Sequence, residues 1–253
     1  MAPIVISIGT SHPWNVAGIG RDLVVGTELG ARVFTATAAV SAQDGRGVVT
    51  IHSVPPDVFA AELGALPWDS AGAARVGALP TLAAVRAVAA VLRSHPWLPA
   101  VVDPAFTASR GGELVDSAAR YGLRDEVATL PNVILTPNLA EAEMLLATDA
   151  LGRDSIAKAA TALRARGSLA VLLKGGHLNG EPADALATAD GVQIFTESRI
   201  TGQMHGTGCT LAMALACELA RGTPLTDAVR GARANVRDQL ARQGASSSNI
   251  LRR

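Results

Sequence analysis

The chain has 253 residues, of which 49% are hydrophobic and 3% aromatic, and this length is sufficient for one large core built mainly from alanine, valine and leucine. Lysine plus arginine number 22 and aspartate plus glutamate also number 22, so the net charge is zero and we expect no nucleic-acid partner. Charged residues interrupt every apolar run before it reaches membrane-spanning length, and no basic stretch precedes an apolar one at the N-terminus, so we expect a soluble cytoplasmic protein without a membrane partner.

The first half of the chain alternates between predicted strands and predicted helices. The strands are short, apolar and rich in β-branched residues, whereas the helices carry apolar residues at helical spacing. The predicted strands cover residues 4–8, 32–40, 48–51, 75–78 and 100–103. The predicted helices cover residues 16–29, 56–66, 80–93 and 111–121. A turn over residues 43–47 connects the second strand to the third.

The second half of the chain continues this alternation and ends in two long helices. Strands are predicted at residues 133–136 and 169–174, and a hairpin at residues 184–189 and 192–195. Helices are predicted at residues 139–147, 155–166, 206–221 and 224–243. Short buried strands separated by helices indicate a doubly wound, mostly parallel sheet covered on both faces. We expect residues 1–253 to form a single domain, with a frayed polar tail over residues 244–253.

The segment His205-Gly206-Thr207-Gly208-Cys209-Thr210 is the most informative part of the sequence. Its two glycines permit a sharp turn, and it runs directly into an apolar helix. The first amides of that helix, from Thr210 onward, have no intrahelical carbonyl to bond, so they predict a phosphate site. The helix dipole is expected to lower the pKa of the Cys209 thiol. A tight connection without a ligand is the alternative explanation of the two glycines.

The chain has two cysteines, Cys209 and Cys217, and both lie in the same predicted helix. Their positions place them roughly 12 Å apart along the helix axis, which is beyond disulfide reach. We therefore expect two reduced thiols.

Polar side chains follow three of the predicted strands, at the sheet edge where ligands bind in folds of this class. Asp103 ends one strand and either holds Mg²⁺ through water or caps the turn. Asn138 and Glu141 have the spacing of a capping box, which explains them without a ligand. Lys174 ends another strand before two glycines, so its ammonium group is placed to bind a triphosphate.

Five motifs occur along the chain in a characteristic order. They are Val102-Asp103-Pro104, Ser109-Arg110-Gly111-Gly112, Thr136-Pro137-Asn138-Leu139-Ala140-Glu141-Ala142, Leu173-Lys174-Gly175-Gly176-His177 and His205-Gly206-Thr207-Gly208-Cys209-Thr210-Leu211. In order and spacing they resemble the hydroxymethylpyrimidine and phosphomethylpyrimidine kinases of the ribokinase-like superfamily. With Ala17-Gly18-Ile19, Asp22 and Gln43, the resemblance covers nearly all of residues 4–240. The cysteine of the last motif is specific to the pyrimidine and some pyridoxal kinases.

The resemblance implies a ribokinase-like three-layer α/β/α fold, with a mostly parallel central sheet flanked by helices. It implies an ATP- and Mg²⁺-dependent kinase that phosphorylates the hydroxymethyl group of 4-amino-5-hydroxymethyl-2-methylpyrimidine or of its monophosphate, in thiamine biosynthesis or salvage. Dimers are frequent in the family, so it also implies a homodimer.

The resemblance also assigns roles in phosphoryl transfer to individual residues. Cys209 would activate the acceptor hydroxyl, and the amides of Gly206, Thr207, Gly208 and Cys209 would neutralise charge on the phosphoryl oxygens. The residues implied to contact the nucleotide are Lys174, Asn138, Glu141 and His205. The residues implied to hold magnesium are Asp103 and Glu141. Asp22 and Gln43 match positions that hydrogen-bond the amine and the ring nitrogen of the pyrimidine.

Three stretches depart from the family pattern. The family's glycine-rich stretch after the first strand is replaced by Ser11-His12-Pro13-Trp14-Asn15-Val16-Ala17-Gly18, in which Trp14 either stacks on a flat ring or lies on a surface loop. Ala78 and Phe106 stand where other side chains usually wall the acceptor site. The approach to the glycine turn, residues 199–205, is shorter and lacks an Asn-Thr pair.

Three hypotheses follow from these observations. The first is the pyrimidine kinase described above. The second keeps the chemistry but changes the acceptor to pyridoxal or another hydroxymethyl heterocycle, as the altered Trp14 and Phe106 regions allow. The third is a ligand-binding or regulatory homologue without turnover. The presence of Lys174, Glu141 and Cys209 together argues against the third, because a binding protein has little need of all three.

Overall fold

The computed structural model describes residues 2–44, 47–108, 111–149, 151–152, 154–176, 183–198 and 204–245. Within these residues, nine strands form one mixed sheet. The strands are β1 Ile4–Ser11, β2 Arg32–Asp44, β3 Gly47–Ser53, β4 Ala73–Val76, β5 Ala100–Val102, β6 Val133–Leu135, β7 Ala170–Leu173, β8 Ala183–Thr188 and β9 Gly191–Thr196. Their order across the sheet is β3-β2-β1-β4-β5-β6-β7-β8-β9. The pairings from β2 to β7 are parallel, whereas β3, β8 and β9 pair antiparallel, so the predicted mostly parallel sheet is confirmed.

Helices cover both faces of this sheet. The described α-helices are α1 Gly18–Glu28, α2 Pro56–Gly64, α3 Leu82–Ser94, α4 Ser117–Gly122, α5 Leu139–Leu146, α6 Ile156–Arg164, α7 Thr207–Ala220 and α8 Leu225–Ala245. A short 3₁₀ turn lies at Trp68–Ser70. In the described part of the chain, no helix combines the length and the apolar character that a bilayer crossing requires.

The core is divided into two clusters by the sheet. One cluster contains Val102 and Leu135 with residues of α3 and α6, and the other contains Val101 and Ile134 with residues of α1, α7 and α8. Adjacent residues of a strand point to opposite faces, which is why Val101 and Val102 pack into different clusters. This arrangement confirms the three-layer α/β/α fold and explains why the central strands are apolar on both faces.

The helix predicted over residues 111–121 begins later than expected. Gly111 and Gly112 have φ values of 95° and 101°, which the α-helical backbone does not adopt. The helix starts at Ser117, where the side chain of Asp116 accepts a 2.6 Å hydrogen bond from the amide of Ala119. It then continues as a π-helical turn over Leu123–Val127. The prediction overlooked Asp116 as the N-cap residue.

Several other boundaries shift by a few residues. The helix predicted from residue 16 begins at Gly18, and β2 continues through Gln43 into the predicted turn. α8 extends to Ala245, beyond the predicted start of the tail, and residues 246–253 lie outside the described residues. β4 ends at Val76 instead of Ala78, and β5, β6 and β7 each end one residue before the predicted boundary.

Candidate active site

The carboxyl ends of three neighbouring parallel strands meet the amino end of α7. Asp103 follows β5, Asn138 follows β6 and Lys174 follows β7. A Cβ atom placed on Gly208, in the first turn of α7, would lie 3.3 Å from Lys174 Nζ and 3.4 Å from Asp103 Oδ2. The structure therefore brings Asp103 and Lys174 against the glycine-containing segment.

The amino end of α7 carries backbone donors that have no helical partner. Gly206 is the N-cap residue, with a φ of 75° in the left-handed region that favours glycine. The amide of Thr210 donates a 2.8 Å hydrogen bond to the carbonyl of Gly206. The donors left over by helix geometry are therefore the amides of Thr207, Gly208 and Cys209. The prediction that these donors start at Thr210 is wrong.

Lys174 and Asp103 form a direct ion pair beside these donors. Lys174 Nζ donates to Asp103 Oδ1 at 2.8 Å, and the Lys174 amide donates to the carbonyl of Pro137 at 2.8 Å. Burial lowers the pKa of Lys174, but the charges of Asp103 and Glu141 outweigh it, and the pKa is raised. Lys174 is thus held as a cation that faces α7.

Asn138 and Glu141 form the predicted capping box at the start of α5. The amide of Asn138 donates to Glu141 Oε2 at 2.7 Å, and the amide of Glu141 donates to Asn138 Oδ1 at 2.9 Å. Burial raises the pKa of Glu141 to about 7, although Lys174 opposes the shift. The structural explanation is confirmed, and the same box also places a buried carboxyl group close to Lys174.

Arg75 belongs to this cluster but was missed from the sequence. Its side chain is buried, with Nη1 3.1 Å from Asp22 Oδ2 and Nη2 3.5 Å from Asp103 Oδ2. A lone charged residue inside the apolar strand β4 was the available signal, because a buried arginine requires acidic partners.

Asp22 is buried, and protein groups bind one of its two carboxylate oxygens. It lies on α1 with no exposed surface, and its Oδ2 accepts a 2.7 Å hydrogen bond from Ser7 Oγ and pairs with Arg75. Its other oxygen, Oδ1, is buried without a hydrogen-bond partner among the described residues. Ser7 and Arg75 therefore occupy Oδ2 but not Oδ1, and the predicted contact with the pyrimidine remains a prediction.

We expect Asp22 to make the stability of the protein depend on pH. Burial raises the pKa of Asp22 to about 6 from 3.8, although Arg75 and Ser7 oppose the shift. A raised pKa stabilises the fold below the unfolded-state value, and this contribution is lost as pH rises through about 6. Between about pH 4.5 and about pH 7 the group should therefore lower the free energy of unfolding by about 2 kcal/mol. Urea unfolding of the wild type and of Asp22→Asn at both pH values measures this change in the free energy of unfolding. The variant should lose less stability than the wild type between the two pH values. Equal losses would contradict a raised pKa of Asp22.

The thiol of Cys209 lies among charged groups rather than in the apolar core. The amide of Gly18 donates to the thiol, and the guanidinium of Arg75 approaches it. Burial raises the pKa of Cys209, with Asp103 and Asp22 adding to the shift and Arg75 opposing it. The expectation of a lowered pKa is therefore wrong, because desolvation at this helix terminus outweighs the favourable neighbours. Cys209 and Cys217 are both free thiols, as predicted.

The remaining residues predicted to bind the acceptor differ in their accessibility. Ala78 and Phe106 are buried, and Phe106 packs in the core cluster with Val102; their predicted contact with the acceptor remains a prediction. Gln43 is half-buried and donates to Ser41 Oγ at 2.9 Å. Trp14 is 39% exposed. The structure therefore leaves Gln43 and Trp14 accessible and buries the other two.

The loop that replaces the family's glycine-rich stretch packs onto the amino end of α7. His12 is buried, and its Nε2 lies 3.1 Å from both the amide and the carbonyl of Ala17, which closes the loop on itself. A Cβ atom at Gly206 would overlap the carbonyl oxygen of Val16. The glycine at this position is therefore required both by its φ and by the close approach of the loop. His205, the predicted nucleotide contact, is half-buried directly before Gly206.

The acidic residues suit a metal that arrives with phosphate rather than one bound by protein alone. Among the described residues, no group of three or more histidine, cysteine, aspartate or glutamate side chains could hold a metal ion. Asp103 and Glu141 supply carboxylate oxygens near Lys174. Mg²⁺ in phosphoryl-transfer sites is commonly bound through one or two carboxylates together with substrate phosphates. The donor set fits that mode of binding.

Some residues of the motifs fall outside the described parts of the chain. These are Ser109, Arg110, His177 and residues 199–203. The predictions that involve them, including the shortened approach to the glycine turn, remain predictions.

The site combines a cationic lysine, a buried aspartate and free amides at a helix terminus, all at one edge of a doubly wound sheet. These are the features of a small-molecule kinase of the ribokinase-like class. Comparison with known proteins narrows this class. Residues 13–250 match the family described as phosphomethylpyrimidine kinase, and the chain belongs to that family.

Individual relatives agree with this assignment. The chain is 38% identical over 232 residues to the hydroxymethylpyrimidine/phosphomethylpyrimidine kinase of Mycobacterium bovis, a match that covers 90% of this chain and 84% of the relative. It is 36% identical to the thiamine biosynthesis bifunctional protein ThiED of Geobacter sulfurreducens over 90% of this chain, but spans only 47% of that longer protein. The pyridoxal kinase of Staphylococcus aureus in complex with pyridoxal superimposes with a TM-score of 0.86, at 25% identity and with 95% and 88% of the two chains covered.

Proposed function

We propose that this protein transfers the γ-phosphoryl group of ATP to the hydroxymethyl group of 4-amino-5-hydroxymethyl-2-methylpyrimidine or of its monophosphate, in thiamine biosynthesis or salvage. The observation that carries the proposal is the approach of Lys174 Nζ and Asp103 to Gly208 in the first turn of α7. Relatives that share 38% of residues carry this activity in their names, which supports the choice of acceptor.

The amino end of α7 and Lys174 are proposed to bind the phosphoryl group while it is transferred from ATP to the acceptor. The amides of Thr207, Gly208 and Cys209 point out of the helix terminus, and the partial positive charge of the helix favours an anion there. Lys174 adds a full positive charge on the side of the terminus that faces β7. Since phosphoryl transfer depends mainly on positioning and charge stabilisation, these groups supply most of what the reaction requires. His205 and Asn138 complete the proposed nucleotide site.

Cys209 is proposed to take up the proton that the acceptor hydroxyl loses as its oxygen bonds to phosphorus. The thiolate is the form that can accept this proton. Because burial raises the pKa of Cys209, only a fraction of the enzyme carries the thiolate at neutral pH. The proton transfer is therefore proposed to become faster as pH rises.

Asp103 and Glu141 are proposed to hold Mg²⁺ together with the nucleotide phosphates. When bound, the ion neutralises charge on the phosphate oxygens. Lys174 keeps Asp103 ionised through the 2.8 Å ion pair, and the capping box fixes Glu141 by its bond to the Asn138 amide. Both carboxyl groups are thus oriented before the ligand arrives.

Release of ADP with a panel of acceptors tests the proposed function. The panel comprises the hydroxymethylpyrimidine, its monophosphate, pyridoxal and a nucleoside, each with Mg²⁺ and ATP. We expect kcat/KM to be highest with one of the two pyrimidines. A higher value for pyridoxal would transfer the assignment to a related vitamin kinase. Binding of nucleotide and pyrimidine without ADP release would favour a regulatory homologue, and would contradict the proposal.

The proposal extends to location and assembly. From the family resemblance, we propose that the protein acts in the cytoplasm as a homodimer. Light scattering coupled to size-exclusion chromatography measures the mass directly, to be compared with the chain mass of 25.8 kDa. A mass near that of one chain would contradict the dimer without affecting the proposed reaction.

A further inference from the structure

Arg75 stands at the centre of the candidate site, although the proposed reaction gives it no part. It comes from β4, next to β5 in the sheet, and its side chain is 1% exposed. Nη1 pairs with Asp22 Oδ2 at 3.1 Å, and Nη2 lies 3.5 Å from Asp103 Oδ2. One guanidinium therefore links a carboxylate of α1 to the carboxylate that follows β5.

The glycine at position 77 leaves the space that the guanidinium of Arg75 occupies. A Cβ atom at Gly77 would overlap Nη1 and lie 3.1 Å from Cζ, and a Cβ atom at Gly9 would lie 3.6 Å from Nη1. The guanidinium also contacts the thiol of Cys209, the proposed proton acceptor. Its three ionisable neighbours all belong to the candidate site, which indicates that function constrains the side chain.

Asp103 is clamped between two cations. Lys174 Nζ donates to Oδ1 at 2.8 Å, while Arg75 faces Oδ2. Oδ2 is also the oxygen that lies nearest the first turn of α7, 3.4 Å from a Cβ atom placed on Gly208. A pair of cations on opposite oxygens fixes the plane of a carboxylate, which a single lysine does not.

We infer that Arg75 is a positioning residue, which holds the Asp103 carboxylate in the orientation that phosphoryl transfer at the first turn of α7 requires. This inference rests on the proposed function. Asp22 supports this role, because its buried carboxylate pairs with Nη1 of the same guanidinium.

The decisive experiment separates positioning from simple charge balance. Arg75→Met alone leaves two buried carboxylates short of a partner, and is expected to lower the melting temperature by roughly 10 °C. The double variant Arg75→Met/Asp22→Asn removes the charge of both partners and should melt close to Asp22→Asn. We expect its kcat to remain roughly 10²-fold below that of Asp22→Asn, because Asp103 is no longer oriented. A kcat equal to that of Asp22→Asn would overturn the inference.

Two milder variants keep the test decisive if the double variant fails to fold. Arg75→Lys keeps the charge but lacks the planar fork, and Gly77→Ala displaces the guanidinium without removing it. Each should lower kcat by roughly tenfold and weaken binding of the magnesium nucleotide, because Asp103 is held less firmly. The matched controls are Arg233→Lys, a buried arginine that pairs with Asp184 at 3.0 Å, and Gly64→Ala, where a Cβ atom meets nothing within 4 Å. Unchanged kcat in both test variants would overturn the inference.

A readout that needs no turnover distinguishes failure of this inference from failure of the proposed function. Mg²⁺ with ADP should raise the melting temperature of the wild type, and this increase should be at least halved in Arg75→Lys and Gly77→Ala but retained in both controls. An inactive wild type that keeps this pattern would contradict the proposed reaction alone. An active wild type whose ligand-induced increase is the same in all variants would contradict the role of Arg75 alone.

Discussion

Replacing Lys174 by methionine is expected to lower kcat/KM by roughly 10³-fold, the largest loss among the substitutions considered. Methionine keeps most of the side-chain length but removes the charge that lies beside Gly208 and on Asp103 Oδ1. The phosphoryl group then loses a cation, and Asp103 loses its shortest ion pair. Steady-state ADP release measures the loss.

The chain supplies its own control for this substitution. Its other lysine, Lys158, is exposed on α6 and makes none of the site contacts described above. Lys158→Met should therefore match the wild type in kcat/KM and in melting temperature. A Lys174→Met enzyme that is folded and within about threefold of wild-type kcat/KM would exclude Lys174 from phosphate binding.

Replacing Cys209 by alanine is expected to lower kcat by roughly 10²-fold and to leave the stabilisation by Mg²⁺ and ADP nearly unchanged. The amide of residue 209 is retained in the variant, so the helix terminus still binds phosphate, while the proton acceptor is lost. Because burial raises the pKa of Cys209, kcat of the wild type should increase from about pH 7 to about pH 9. The variant should show a flat profile over the same range.

Cys217 provides the comparison for Cys209. It lies in the same helix but is fully buried in the apolar cluster between α7 and the sheet. Cys217→Ala should retain the kcat and the pH profile of the wild type. An unaltered kcat in Cys209→Ala would remove the thiol from the mechanism, and an unaltered pH profile would show that another group takes up the proton.

The fold was predictable because its signals are local. The apolar strands β4 to β7 and the helices between them show their period in the sequence, and the parallel order brings Asp103, Asn138 and Lys174 to one edge. The capping box of Asn138 and Glu141 likewise depends only on spacing. The late start of α4 was missed although Asp116 marked it, since the preceding glycines were read as part of a helix.

The electrostatics of the site were not predictable, because they depend on contacts between distant parts of the chain. Arg75 pairs with Asp22 and with Asp103, and no local pattern connects these residues. The same contacts explain why Asp22 is buried. The direction of the pKa shift of Cys209 follows from burial and from carboxylates on two other elements, which outweigh the local effect of the helix terminus.

A crystal structure with Mg²⁺ and the non-hydrolysable nucleotide AMP-PCP would test most directly whether the amino end of α7 is the site of phosphoryl transfer. We predict that the terminal phosphonate oxygens accept hydrogen bonds from the amides of Thr207, Gly208 and Cys209, and that Lys174 Nζ lies within ion-pair distance of them. A nucleotide bound elsewhere, or a helix terminus covered by protein atoms when the ligand is present, would contradict this assignment.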